Sequence, residues 1–179
     1  EVLRSLMDSG ALVRDDARGT WQVGAAVEEI QIPDNLQSLL QARIDRLEEE
    51  ARHTLQLASV IGRSFFYRVL QAIHETNTGL DRQLGTLQRV ELIREAAREP
   101  ELEYVFRHAL TQEAAYRSIL RKERRAFHLR VAEALELLFS DRTEELAPLL
   151  ANHYAEAGDP RALRYLILAG DAAFRMYAI

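Results

Sequence analysis

From Asn35 onward, apolar residues recur at Leu36, Leu40, Ile44, Leu47, Ala51, Leu55 and Ala58. Steps of four and three keep to one face of an α-helix. The run is too long for one typical globular helix, so the pattern predicts two, broken near Glu48 to Glu50 and closed by Gly62 as a C-cap. "FFYRVLQAI" predicts a short apolar helix. "TGLDRQLGTLQRVEL" predicts another, with Leu80, Leu84, Leu87 and Val90 on one face. The period then changes. "LIREA" and "ELEYVFRH" predict two strands around a loop that holds Pro100, with Val105 facing inward and Phe106 outward. Upstream, residues 2–9 predict the last turns of a helix capped by Gly10. "ALVRDDARGTWQV" predicts two short strands around a polar turn. "GAAVEEIQIPD" is a connector, in which Pro33 disfavours helix before it and suits a helix start after it.

After His108 the period of 3.6 returns. "ALTQEAAYRSIL" and "KERRAFHLRVAEALELLF" predict successive helices, the first with small residues Ala109, Ala114 and Ala115 for close packing. "EELAPLLANHYAEAG" ends at Gly158. "DPRALRYLILAGDAAFRMYA" starts with Asp159 as cap and Pro160 in its first turn. Leu146, Leu150, Ala162, Leu166 and Ala169 fit the small-and-large spacing of tetratricopeptide-like repeats. The expected fold is therefore mainly α with two short β-hairpins. Residues 1–33 form a helix end and hairpin connector. Residues 34–122, in the order helix, helix, helix, hairpin, describe a winged helix. Residues 123–179 begin an antiparallel helical repeat.

Composition narrows the function. The chain has 179 residues and a formal net charge of −5, which gives no general attraction to nucleic acid. It has no Cys, hence no disulfide framework and no thiolate zinc site. No apolar run is long enough to span a membrane. Lys122 is the only Lys among 23 basic residues, a bias that fits genome composition better than function. The opening "EVLRSLMDSG" and the closing "AAFRMYAI" both read as helix interiors, which suggests a piece of a longer protein.

Catalytic patterns find little support. Lys122 lies in "LRKERR" with no Gly beside it, so no phosphate-binding P-loop is expected. His53, His74, His108, His128 and His153 have no pair at the i, i+4 spacing of a helical zinc site, and no metal is expected. His108, Glu113 and Ser118 could supply a base, an orienting carboxylate and a nucleophile. Yet His108 and Ser118 fall at opposite ends of one helix, roughly 15 Å apart by helical rise. The acidic "RLEEEAR" reads as a solvated helix face rather than a carboxylate pair. Two polar sets remain as possible DNA or partner contacts. Arg82, Gln83, Thr86 and Arg89, beside Gln88, are types that read base edges, although Asp81 and Glu91 offset their charge. Arg121, Lys122, Arg124 and Arg125 could meet an acidic partner, with internal pairing through Glu123 as the plainer reading.

"IPDNLQSLLQARIDRLEEEARHTLQLASVIGRSFF", "YVFRHALTQEAAYRSILRKERRAFHLRVAEALE", "LANHY" and the closing "AL.YL..AG..A" together resemble a segment of the large signal-transduction ATPases of the STAND class, found linked to nucleotide cyclases or transcription regulators. The resemblance covers most of Ile32 to Ala173. It implies an upstream ATPase core that would hold ATP and Mg, with no cofactor in this stretch. It implies a winged helix that packs on that core, and a helical repeat that binds protein partners, all in the cytoplasm. A winged-helix DNA-binding domain is the alternative. Within this frame Arg107, His108 and Tyr116 mark the joint between the two modules, with the Tyr116 ring on the next helix and its hydroxyl near the surface.

Overall fold

The N-terminal hairpin and the remainder of the chain form separate units, divided between Leu39 and Leu40. A computed structural model describes residues 12–15, 20–23, 34–74 and 79–177. In the first unit β1 (Leu12–Asp15) pairs antiparallel with β2 (Thr20–Val23), Leu12 opposite Val23 and Arg14 opposite Trp21. This is the first of the expected hairpins. The expected helix over residues 2–9 with its Gly10 cap, residues 16–19 of the turn, and the connector over 24–33 with Pro33 lie outside the described residues.

Helix α1 (Asp34–Asp45) stops a few residues before the expected break near Glu48 to Glu50, and Leu40 and Ile44 are buried along it. Helix α2 (Glu49–Ile61) buries Ala51, Leu55 and Ala58, the face its spacing prescribes, and its C-terminal half also buries Leu57, Val60 and Ile61 on its other sides. Gly62 then takes φ 152° and donates its amide to the Ala58 carbonyl. That conformation is open almost only to glycine, so Gly62 lets the chain turn sharply off the helix.

The next segment departs from expectation. "FFYRVLQAI" is not one helix: Ser64–Phe66 forms β3, and only Tyr67–Ile73 is helical, as α3. β3 is drawn into a sheet by distant partners, Phe65 opposite Tyr104 and Ser64 opposite Val105. Helix α4 (Leu80–Arg89) leads to β4 (Ile93–Ala97) and β5 (Glu103–Phe106). The second hairpin is thus part of a three-stranded antiparallel sheet in the order β3–β5–β4, with a bulge between Glu95 and Ala97. The facing of β5 is corrected too. Phe106 is buried with Tyr104, and Val105 is only half-buried. Alternation along a strand puts residues 104 and 106 on one face. That face stacks Phe65 on Tyr104 at 5.8 Å and sets it edge-on to Phe106 at 5.9 Å.

Helix α5 (Ala109–Arg117) follows, then α6 (Arg121–Leu138), a short 3₁₀ turn (Ser140–Arg142), α7 (Ala147–Ala157) and α8 (Arg161–Tyr177). On α5 only Ala115 of the three small residues is fully buried; Ala109 is exposed and Ala114 half-buried. Gly158 at φ 75° ends α7, and Asp159 then accepts the Arg161 amide at 2.8 Å, the expected cap of α8. Of the residues that suggested a repeat, Leu150 and Ala162 are buried, whereas Leu166 is 55% exposed.

The chain is mainly helical, with eight α-helices, a two-stranded hairpin and one small three-stranded antiparallel sheet among the described residues. One apolar core runs from Ile44 to Tyr165. It is continuous across residues 122 and 123, where the sequence suggests a module boundary. Helix α6 is the reason: it packs against α2 and α3 on one side and against α7 on the other. Among the described residues no helix is long and apolar enough to cross a membrane.

Candidate functional site

The polar residues of α4 divide by helical arithmetic. Leu80, Gln83, Leu84 and Leu87 recur at i, i+3, i+4 and i+7, one face, and all four are buried. Gln83 therefore cannot meet DNA or a partner from where it sits. Its Oε1 accepts the Thr54 hydroxyl at 2.6 Å, and the same hydroxyl lies 3.0 Å from His74 Nε2. Arg82 is exposed and paired with Glu50 at 2.9 Å. Thr86 donates back to the Arg82 carbonyl, and Arg89 turns onto Thr86 and the Gly85 carbonyl of its own helix. This face is occupied with itself. Replacing Gln83 by alanine is expected to destabilise the fold by about 1–3 kcal/mol, because the buried Thr54 hydroxyl loses its acceptor. Arg89→Ala is expected to stay within about 0.5 kcal/mol of the parent. Urea unfolding of the two variants checks both, and equal midpoints would place Gln83 on the surface after all.

The joint before α5 is structural in its contacts. Arg107 pairs with Glu91 at 2.7 Å, and its amide donates to the Leu92 carbonyl. His108 is the N-terminal flanking residue of α5, exposed, with its carbonyl accepting from Thr111. The residues imagined as a hydrolytic set are not brought together. Ser118 donates to the Ala115 carbonyl at 2.6 Å and receives Gln56 at 3.0 Å, while Glu113 pairs with Arg117.

Tyr116 is half-buried, and its hydroxyl lies 2.9 Å from His128 Nε2 on α6. His128 Nδ1 in turn lies 2.9 Å from His153 Nδ1 on α7, so one of the two nitrogens carries the shared hydrogen. Both imidazoles are buried. Burial lowers the His128 pKa; Glu156 opposes that shift and Arg124 adds to it. Burial, and then the adjacent His128, lower His153 to about 4. His153 Nε2 is enclosed and makes no hydrogen bond among the described residues. A proton there would have nothing to accept it, so the neutral ring is the form the fold wants.

The basic run sits directly above this chain of contacts. Arg124 lies over the Tyr116 ring at 4.3 Å and donates to the Ile119 carbonyl at 3.0 Å. Arg121, Arg124 and Arg125, with Ala155 and Glu156 of α7, line a groove of about 420 Å³. The expected pairing of this run through Glu123 does not form, since none of its cations meets a carboxylate among the described residues. Lys122 is exposed beside the groove but does not line it. The sequence reading gave no role to His128, His153 or Glu156. A pointer to His128 existed, since it lies three residues before the buried Val131 on the inner face of α6. What the sequence lacked was any sign that α7 would bring His153 and Glu156 to the same place.

No group of three or more His, Asp or Glu side chains close enough to hold a metal ion occurs among the described residues. No family model matches the chain, and neither the curated proteins nor the solved structures contain one found to be similar to it.

Proposed function

We propose that the chain is a regulatory, non-catalytic module of a larger cytoplasmic signalling ATPase of the STAND class: a winged helix joined to the first hairpins of a tetratricopeptide-like scaffold. The observation that carries this reading is the order α2, β3, α3, α4, β4, β5 with β5 as the central strand, since a winged helix combines three helices with such a sheet. The packing of α6 on α7 and of α7 on α8, successive helices each against the next, agrees with the scaffold part. Leu163, Leu166, Ile167 and Phe174 stand 55–75% exposed along α8, the kind of apolar surface that protein partners cover. The role of α4 as a DNA reader loses support, because Gln83 is internal and Arg82 and Arg89 are engaged locally.

Titration with labelled ATP and Mg²⁺ tests the non-catalytic reading. No ATP turnover and no binding that depends on the adenosine moiety are expected, and finding either would overturn the proposal. Duplex DNA at low salt tests the alternative. Binding that prefers one sequence and weakens steeply with added salt would restore the DNA-binding domain.

A further inference from the structure

We propose that the groove between the start of α6 and the end of α7 is a binding site for a compact oxyanion with two or more negative charges, of the pyrophosphate class. The site is independent of the winged-helix reading and rests on its own residues.

Arg121, Arg124 and Arg125 stand at i, i+3 and i+4, so their guanidinium groups rise from one face of α6. Like charges at this spacing repel one another, and an isolated helix gains nothing by collecting them. Elsewhere in the same half of the chain, arginines close on carboxylates: Arg117 on Glu113, Arg142 on Glu145, Arg161 on Glu133 and Asp159, and Arg175 on Glu144. Among the described residues Arg121 and Arg125 do not, and neither does Arg164, but only the first two stand together, with Glu123 between them in sequence and Glu156 on the groove wall. The pattern is that of a site whose counter-charge comes from outside.

Arg124 is the fixed member. The Tyr116 ring beneath it and the Ile119 carbonyl beside it hold the guanidinium in place, and its Nε is enclosed without a hydrogen-bond partner. A pre-positioned guanidinium loses less freedom on binding than a free one. Arg121 and Arg125 are exposed and able to close over a ligand. Three guanidinium forks against one carboxylate leave an excess of two positive charges, which sets the charge of the ligand. Planar forks match phosphate oxygens in pairs. The lining also limits the ligand's shape. Ala155 is its single apolar residue, and the Tyr116 ring is already covered by Arg124. A base or aromatic body would find nothing to stack on, so recognition is of charge and oxygen geometry alone.

Calorimetric titration with sodium pyrophosphate, at ionic strength held constant with sodium chloride, tests the site. Saturable one-to-one binding is expected. Arg121→Ala and Arg125→Ala should each weaken it roughly tenfold, and more in combination. Both side chains are exposed and make no ion pair among the described residues, so circular dichroism should show the fold retained. Glu156→Gln should tighten binding several-fold by removing the one negative charge of the lining. No saturable heat, or equal affinities in wild type, R121A/R125A and E156Q, would overturn the proposal. ATP titrated into R121A/R125A separates this site from a nucleotide-binding one. Binding lost in the variant belongs to the groove, whereas binding that survives contradicts the non-catalytic reading instead.

Discussion

Replacing Tyr165 by alanine is expected to lower the stability of the helical part of the chain by about 3–5 kcal/mol, the range for truncating a fully buried aromatic side chain. Tyr165 is 0% exposed and stacks on Tyr154 at 5.5 Å, their rings nearly parallel. Both hydroxyls donate to one carboxylate, that of Glu136 on α6. Those two bonds hold the Glu136 carboxyl below the usual carboxylate range and raise both phenols, with burial the larger cause at the tyrosines. Arg161 completes the cluster from above, its guanidinium 4.4 Å from the Tyr154 ring centre. The alanine variant thus removes ring packing and a charge-assisted hydrogen bond together. Tyr165→Phe separates them: it keeps the ring and is expected to lose about 1.5–3 kcal/mol, the worth of a hydrogen bond to a charged group. Urea unfolding followed by far-ultraviolet circular dichroism measures both. If Tyr165→Ala unfolded at the wild-type midpoint, α8 would not be docked through this residue at all.

Acidification is expected to remove about 3 kcal/mol of stability through His153 alone. Its folded pKa is lowered to about 4, while the unfolded ring keeps an ordinary value near 6.5. Between those values the unfolded chain takes up a proton that the folded chain refuses. Stability from this group is therefore complete above about pH 6.5, declines as the pH falls, and levels off below about pH 4. His128, lowered in the same direction, adds to the loss in the same region. Glu136 and Asp159, held below their usual range, lose their contributions at still lower pH. His153→Asn isolates the effect, because an amide can keep the bond to His128 Nδ1 and cannot titrate. The difference in unfolding free energy between wild type and H153N should narrow or reverse as the pH drops from 6.5 to 4. Parallel curves across that interval would mean that His153 is already solvated.

The sequence carries the helical half of this fold well, and particular residues show why. α2 and α4 announce themselves through steps of three and four, and Gly62 and Gly158 end helices because few other residues tolerate the backbone they need there. β3 is illegible for the opposite reason. Three residues, Ser64–Phe66, have too few positions to distinguish a period of two from one of 3.6, and their strand state comes from β5, some forty residues on. Gln83 is instructive in another way. Residue type suggests a base contact, but its spacing from Leu80 and Leu87 dictates the interior, and spacing prevails because burying the leucines leaves the glutamine no choice. Of the groove, the basic run is visible along the chain and the opposing wall is not. Ala155 and Glu156 reach it only because α6 and α7 run back to back.

The continuous packing of α6 also has a mechanical meaning. This single helix of 18 residues, about 27 Å long by helical rise, has neighbours on both flanks. One flank bears His53 of α2 against Phe127, the Ile73 carbonyl of α3 against Arg130, and Phe66 against Phe139 at its end. The other bears His153, Tyr154 and Tyr165 of the terminal hairpin through His128 and Glu136. Such a helix works as a shared axle. A tilt imposed on α7 and α8 from outside would not be absorbed by a hinge near residue 122; it would arrive, as torque, at the helices and sheet on the far side.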